Sequence, residues 1–128
     1  MKDGIIPILL LISVIVATVM FSNKINGKTD DVDKMEKALA GTHNFIAPGS
    51  NISFQNVPNK NELHFWARLA LAPSYLTNKA DRFDTVLTIC NTDKCDSIKM
   101  LLKTNNRNTL WQNNDDQYCY FLTTSHLP

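Results

Sequence analysis

Ile5 to Phe21 is a run of seventeen residues without a charge, interrupted only by the hydroxyls of Ser13 and Thr18. As a helix rising ~1.5 Å per residue it reaches ~25 Å, the short end of what crosses the hydrocarbon core of a bilayer. Pro7 falls in the first turn, where its missing N–H removes no intrahelical bond. Such a segment divides the chain before any other pattern is considered. The expected organisation is a transmembrane anchor over 1–22, a stem over 23–29 with Asn23, Asn26 and Gly27, and one soluble domain over 30–128.

The competing description is a secretory signal peptide. Signals carry an apolar region of ~7–15 residues followed by small residues at the cut. Here the run is longer, and Met20-Phe21-Ser22 is a poor cleavage site. Ala17 is tolerable before a cut, but Ile15 is bulkier than the small residue preferred two positions earlier. No cysteine lies near the segment, so attachment as a bacterial lipoprotein is excluded. Length therefore favours a single-pass anchor. The positive-inside rule sets Lys2 against Lys24, Lys28, Lys34 and Lys37 and points to a cytoplasmic domain. The short Lys-bearing amino end is instead how many exported signal anchors begin, and the expectation adopted is an extracytoplasmic domain.

From Thr29 onward ten Lys and Arg stand beside eleven Asp and Glu. That balance supplies no basic stripe for phosphates, so nucleic acid is not an expected partner. Asn105, Asn106, Asn108, Asn113 and Asn114 read as turn chemistry between patterned apolar segments. Three cysteines, Cys90, Cys95 and Cys119, leave one thiol over in a monomer and argue against a disulfide framework, though one bridge is allowed. The C-x4-C spacing fits neither a redox C-x2-C nor a zinc knuckle, and burial as small hydrophobes is the default. Cys95 opens a helix in this reading, where the dipole would favour its thiolate.

Periodicity orders the soluble part. Thr29 or Asp30 caps a helix to about Ala40 with Val32, Met35 and Leu39 on its apolar stripe, and Gly41 stops it. Ile52 to Gln55 alternates as a short strand. Asn59 or Asn61 caps a helix from Glu62 to about Ala72, apolar nearly all round and so expected to be buried on more than one face. Asp84 to Cys90 is rich in branched residues and reads as the central strand. Asp93 or Asp96 caps a third helix to Lys103. Thr109–Gln112 and Gln117–Thr124 then flank Asn113-Asn114-Asp115-Asp116 as a β-hairpin. The fold class that follows is α/β: a transmembrane helix, then a small Rossmann-like layered domain of about four strands, a parallel pair plus the closing hairpin.

Phe65-Trp66-Ala67-Arg68-Leu69-Ala70-Leu71-Ala72-Pro73, followed by Asp84-Thr85-Val86-Leu87, resembles a pattern in uncharacterised domains of the bacterial envelope. Those domains occur as single-anchor proteins or as soluble parts of multi-pass membrane proteins, some resembling glycosyltransferases. The resemblance spans about Ile52 to Leu122. It implies a small α/β fold and an envelope setting, and brings no catalytic residues to carry over.

Arg68 is a charge on a nearly all-apolar helix: an anion-binding group at the edge of a cleft, a structural partner of Asp84, or a side chain whose tip is simply exposed. In open α/β sheets ligands bind beyond the carboxyl ends of parallel strands. That places Gln55, Asn91 and Asp93 beside Arg68 as candidate ligand-binding residues, although Asp93 is equally well a helix cap. No glycine-rich phosphate loop, G-x-S-x-G or metal-ligand spacing occurs; His43, His64 and His126 are scattered. No cofactor or metal is expected, and no catalytic constellation is evident. Trp111, Tyr118 and Tyr120 on the hairpin form a candidate partner surface, unless helices cover both sheet faces. The expected function is that of a membrane-anchored accessory or protein-interaction domain, its partner a membrane protein. The alternative is a small tethered enzyme or binder of an anionic or saccharide-like compound.

Overall fold

The computed structural model describes residues 5–26, 31–79 and 82–126. The chain divides into two compact units, Met1–Asp30 and Asp31–Pro128.

The first unit holds helix α1, Ile5–Asn26. Its stretch Ile6–Asn23 is long and apolar enough to cross a membrane, and none of it is buried. A core helix of a soluble protein shows a covered stripe; this one exposes apolar side chains on every face. Ser13 and Thr18 donate to the carbonyls of Leu10 and Val14 at 2.8 and 2.7 Å. Neither hydroxyl is then left unpaired in an apolar medium. The same length and composition fit an anchor and a signal sequence. The helix continues through the expected stem as far as Asn26, while Lys2, Lys28 and the candidate caps Thr29 and Asp30 lie outside the described residues.

The second unit is an α/β domain. In chain order it comprises α2 (Asp31–Leu39), β1 (Asn51–Asn56), α3 (Asn61–Ala70), β2 (Tyr75–Thr77), β3 (Val86–Asn91), α4 (Cys95–Thr104), β4 (Asn108–Asn114) and β5 (Tyr118–Thr124). The strands form one mixed sheet in the order β2-β1-β3-β5-β4. β1 runs parallel to both β2 and β3, with Ile52 opposite Leu76 and Phe54 opposite Leu87. β5 is antiparallel to β3 and β4.

Side-chain alternation divides the core between the two faces of the sheet. Ile52, Phe54, Leu76, Leu87, Ile89, Tyr118, Tyr120 and Leu122 pack with Met35, Ala38 and Leu39 of α2 and Leu63 and Ala67 of α3. Cys90, Cys119 and Phe121 pack with Leu102, Ile98 and Cys95 of α4. β3 and β5 are covered on both sides, and each fully buried large side chain there contributes about 1.5–3 kcal/mol.

The sheet has five strands where about four were expected, because Tyr75-Leu76-Thr77 pairs with β1 as a three-residue edge strand directly after Pro73. Three residues are too few for an alternation to register. The hairpin turn is also tighter than expected. Asn113 and Asn114 stay in β4, since the Asp115 carboxylate takes the N–H groups of Gln117 and Tyr118 at 2.8 and 2.7 Å and closes the turn itself. Lys60 and Lys94, not Asn59, Asn61, Asp93 or Asp96, stand at the caps of α3 and α4, with no side-chain capping bond. Asn59 instead adopts a left-handed backbone, φ 54°, and a 3-10 turn, Thr92–Lys94, leads into α4. Helix α3 buries one face only: Leu63 and Ala67 are inside, while Phe65 and Leu69 are exposed.

Gly41 does not stop the first helix of this domain. The chain passes through it in a 3-10 turn, Ala40–Asn44, and the glycine leaves room for the Trp111 indole. A β-bulge between Thr109 and Trp111 lets the consecutive residues Leu110 and Trp111 both reach the same core. Asn113 Nδ2 donates to the Ala38 carbonyl at 2.9 Å and ties the end of α2 to β4.

Candidate functional site

Three places on the domain carry groups that the core does not use up. The first is the outer face of α3. Phe65, Arg68 and Leu69 are neighbours at i, i+3 and i+4. The Arg68 guanidinium stacks 5.9 Å from the ring centre of Tyr75, at the start of β2. Phe65 is 59 % exposed, Leu69 48 % and Tyr75 51 %. Three large apolar side chains around one cation make a patch with the aromatic and arginine composition typical of binding surfaces.

The second is a cleft of about 430 Å³ between α2, α3 and the tip of the β4–β5 hairpin. It lies toward the carboxyl ends of β1 and β3, since Tyr118 opens β5 opposite Asn91, the last residue of β3. Leu63, Met35, Tyr118 and Tyr120 line it with Trp66, and Lys34, Asp115, Asp116 and Asn113 supply polar groups. Its size falls within the range of small-molecule sites, roughly 300–1,000 Å³. Asp115 organises this end: besides closing the turn, its Oδ2 accepts the Tyr120 hydroxyl at 2.5 Å. Burial, then the Asp115 hydrogen bond, push the Tyr120 phenol upward, so it remains a donor rather than a base. Lys60 donates to the Tyr118 hydroxyl at 3.2 Å.

The third is a group of thiols on the α4 face. Cys90 and Cys119 are opposite one another on β3 and β5, and Cys95, the first residue of α4, packs against the same cluster. All three are free. Burial pushes Cys90 from its ordinary 9.0 to about 11 and Cys119 to about 12. The sign of the consequence follows from proton linkage. Above pH 9 the unfolded chain ionises these thiols while the folded chain holds their protons, so stability present below that pH is lost as pH rises toward 11–12. Each thiol is expected to contribute about 1.4 kcal/mol per pH unit to the loss. Urea titrations at pH 8, 9 and 10 check this, with Cys90→Ala expected to flatten the decline.

Gln55 is exposed on the α4 face of β1, its Oε1 accepting from Thr88 at 3.4 Å. Asn91 ends β3 half-buried and Asp93 is exposed in the 3-10 turn that follows. Arg68 belongs to α3 on the other face of the sheet, where it meets Tyr75. Asp84 instead accepts from Ser125 at 3.0 Å and faces His126 at 3.9 Å. These four do not converge on one cavity. Tyr118 and Tyr120 are buried under α2 and α3, 9 % and 1 % exposed, and Trp111 is half-buried over Gly41. Trp66 and Asp115, which shape the cleft, had no signal beyond a helix aromatic and a turn former. No group of metal-ligating side chains occurs among the described residues.

Fold and surface together define an α/β domain with a mixed sheet, preceded by one apolar helix of membrane-spanning length. The chain matches no family model, no curated protein and no solved structure. The envelope resemblance therefore stands on the Phe65–Pro73 and Asp84–Leu87 motifs alone.

Proposed function

We propose that this chain is a membrane-anchored, non-catalytic interaction domain of a bacterial envelope, and that the Phe65–Arg68–Leu69–Tyr75 face receives a protein partner held in the same membrane. The observation that carries this reading is the exposure of Phe65, Leu69 and Tyr75 around Arg68. Covering them would remove apolar surface from water at about 25 cal/mol per Å². A partner with an apolar strip and a carboxylate opposite Arg68 fits that chemistry. Anchoring both proteins in one bilayer raises their effective concentration, so a weak contact suffices. An extracytoplasmic position of the domain is part of this proposal.

Cross-linking in native membranes tests it. Phe65→Asp with Leu69→Asp is expected to weaken capture of a specific membrane protein by roughly 30-fold or more, the scale of one hot-spot residue. Thermal stability of the exposed-face variant should change by about 0.5 kcal/mol or less. An unaltered adduct yield would remove the α3 face from the proposal.

The cleft supports a second reading, a binder of a small saccharide-like compound. Trp66 offers an apolar plate and Asp115, Asp116 and Asn113 offer acceptors and a donor beside it. Binding of neutral oligosaccharides that quenches tryptophan fluorescence and is lost in Asp116→Ala would favour it over the protein partner.

A further inference from the structure

The three thiols of the α4 face form a group that neither reading of function uses. Cys119 is paired with Cys90 across the β3–β5 ladder, and Cys95 of α4 packs against the same cluster. Cys90 and Cys119 are 0 % and 2 % exposed, whereas Cys95 is only half-buried. Cys95 and Cys119 line one cavity of about 240 Å³, with Lys99 and Thr92 at its wall. One thiol is thus reachable from solvent, and a second waits directly behind it.

We propose that Cys95 and Cys119 are a thiol–disulfide site, in which Cys95 is the entry nucleophile toward small-molecule disulfides and Cys119 the resolving thiol.

The chemistry balances in two steps. Cys95, having released its proton to solvent, attacks one sulfur of a disulfide R–S–S–R. The S–S bond breaks, one R–S⁻ leaves and is protonated, and a mixed disulfide remains on Cys95. Cys119 then loses its proton and attacks the Cys95 sulfur, expelling the second R–S⁻. The protein has lost two protons and two electrons to the small disulfide, which departs as two R–SH.

Geometry selects this pair over Cys90–Cys119. The Thr92 N–H donates to the Gln117 carbonyl at 3.1 Å. By the alternation of an antiparallel ladder, Cys90 and Cys119, two positions further along each strand, are then a hydrogen-bonded pair. Cβ atoms of such pairs stand near the wide end of ~4.5–5.5 Å, beyond the ~3.5–4.5 Å that a disulfide prefers. Cys95 approaches from a helix rather than from the neighbouring strand and is free of that restriction. Burial of Cys119 makes the second step the slower one, and the Lys99 ammonium beside it acts in the opposite direction. The closed bridge would tie the first turn of α4 to β5 across the cavity.

The test uses the full chain in detergent with oxidised glutathione as the probe. Trypsin sites at Lys94 and Lys99 put Cys90, Cys95 and Cys119 on three separate peptides, so each pairing reads as a distinct mass. The expected product has the Cys95 peptide joined to the Cys119 peptide, with Cys90 alone still taking an alkylating label. Dithiothreitol should restore all three labels. Cys95→Ser should take up no glutathione at Cys119, and Cys90→Ala should bridge as the natural chain does. The same reaction in urea should scramble among the three pairings. A stable glutathione adduct on Cys95 with Cys119 still labelled, a Cys90 bridge in the native chain, or a native product mixture equal to the one in urea would each overturn the proposal.

Discussion

The full-length protein is expected to stay in the membrane pellet through alkaline carbonate extraction, and Ile12→Lys with Val16→Lys to release it. The expectation rests on α1 alone: Ile6–Asn23 is uncharged between its ends in sequence, none of it is buried, and the hydroxyls of Ser13 and Thr18 are satisfied within the helix. A lysine near the centre of a spanning helix costs about 2.5–3.5 kcal/mol. Two of them shift the partition by roughly four orders of magnitude, at about 1.4 kcal/mol per tenfold. The effect is large because nothing in a bilayer solvates an ammonium group at that depth. Recovery of the natural chain in the soluble fraction with a new amino terminus at Thr18 or later would identify the segment as a removed signal, and the tether would be withdrawn.

The second large effect is expected at Gly41. Gly41→Ala should lower the stability of the domain by about 1–3 kcal/mol, the usual cost of forcing an atom into a filled core. For a domain of about 100 residues that is a fall in Tm of roughly 4–20 °C. A β-carbon at Gly41 would collide with the Trp111 Nε1 and stand 3.1 and 3.3 Å from Cε2 and Cδ1 of the same ring. The indole cannot retreat easily, since Trp111 packs against the main core and its strand is held there by the Asn113–Ala38 bond. Trp111→Phe removes the colliding edge. In the double variant the two costs should fall short of their sum by about 0.5–3 kcal/mol, the coupling typical of residues in contact. Additive losses in thermal or urea denaturation would mean that Gly41 is kept for some reason other than this indole.

Gly41 also marks the boundary of what could be read without coordinates. As a letter after an amphipathic run it signals a helix stop; its reason for being glycine is a tryptophan seventy residues later. Helices α2, α3 and α4 and strands β1 and β3 were legible because their patterns are local: Val86 to Cys90 declares a buried strand by composition. β2 was not, since Tyr75-Leu76-Thr77 acquires its meaning only from pairing with Asn51 to Ser53. The candidate site divides in the same way. Arg68 was noticed as a charge among apolar residues, but its partner Tyr75 follows a proline turn that no periodicity predicts. The cleft joins α2, α3 and the hairpin, and the thiol group joins β3, α4 and β5; both depend on the order of strands in the sheet.

Hydrophobic periodicity acts over one turn or one pleat, so the amino-acid order by itself determined an apolar α1 and an α/β domain behind it; on α3 it marked nearly every face as apolar, and only the face of Leu63 and Ala67 is covered. Which aromatics stay outside was decided by tertiary packing. The space under α2 and α3 is filled by Tyr118, Tyr120 and Leu122, and a close-packed interior leaves no place there for Phe65 and Leu69.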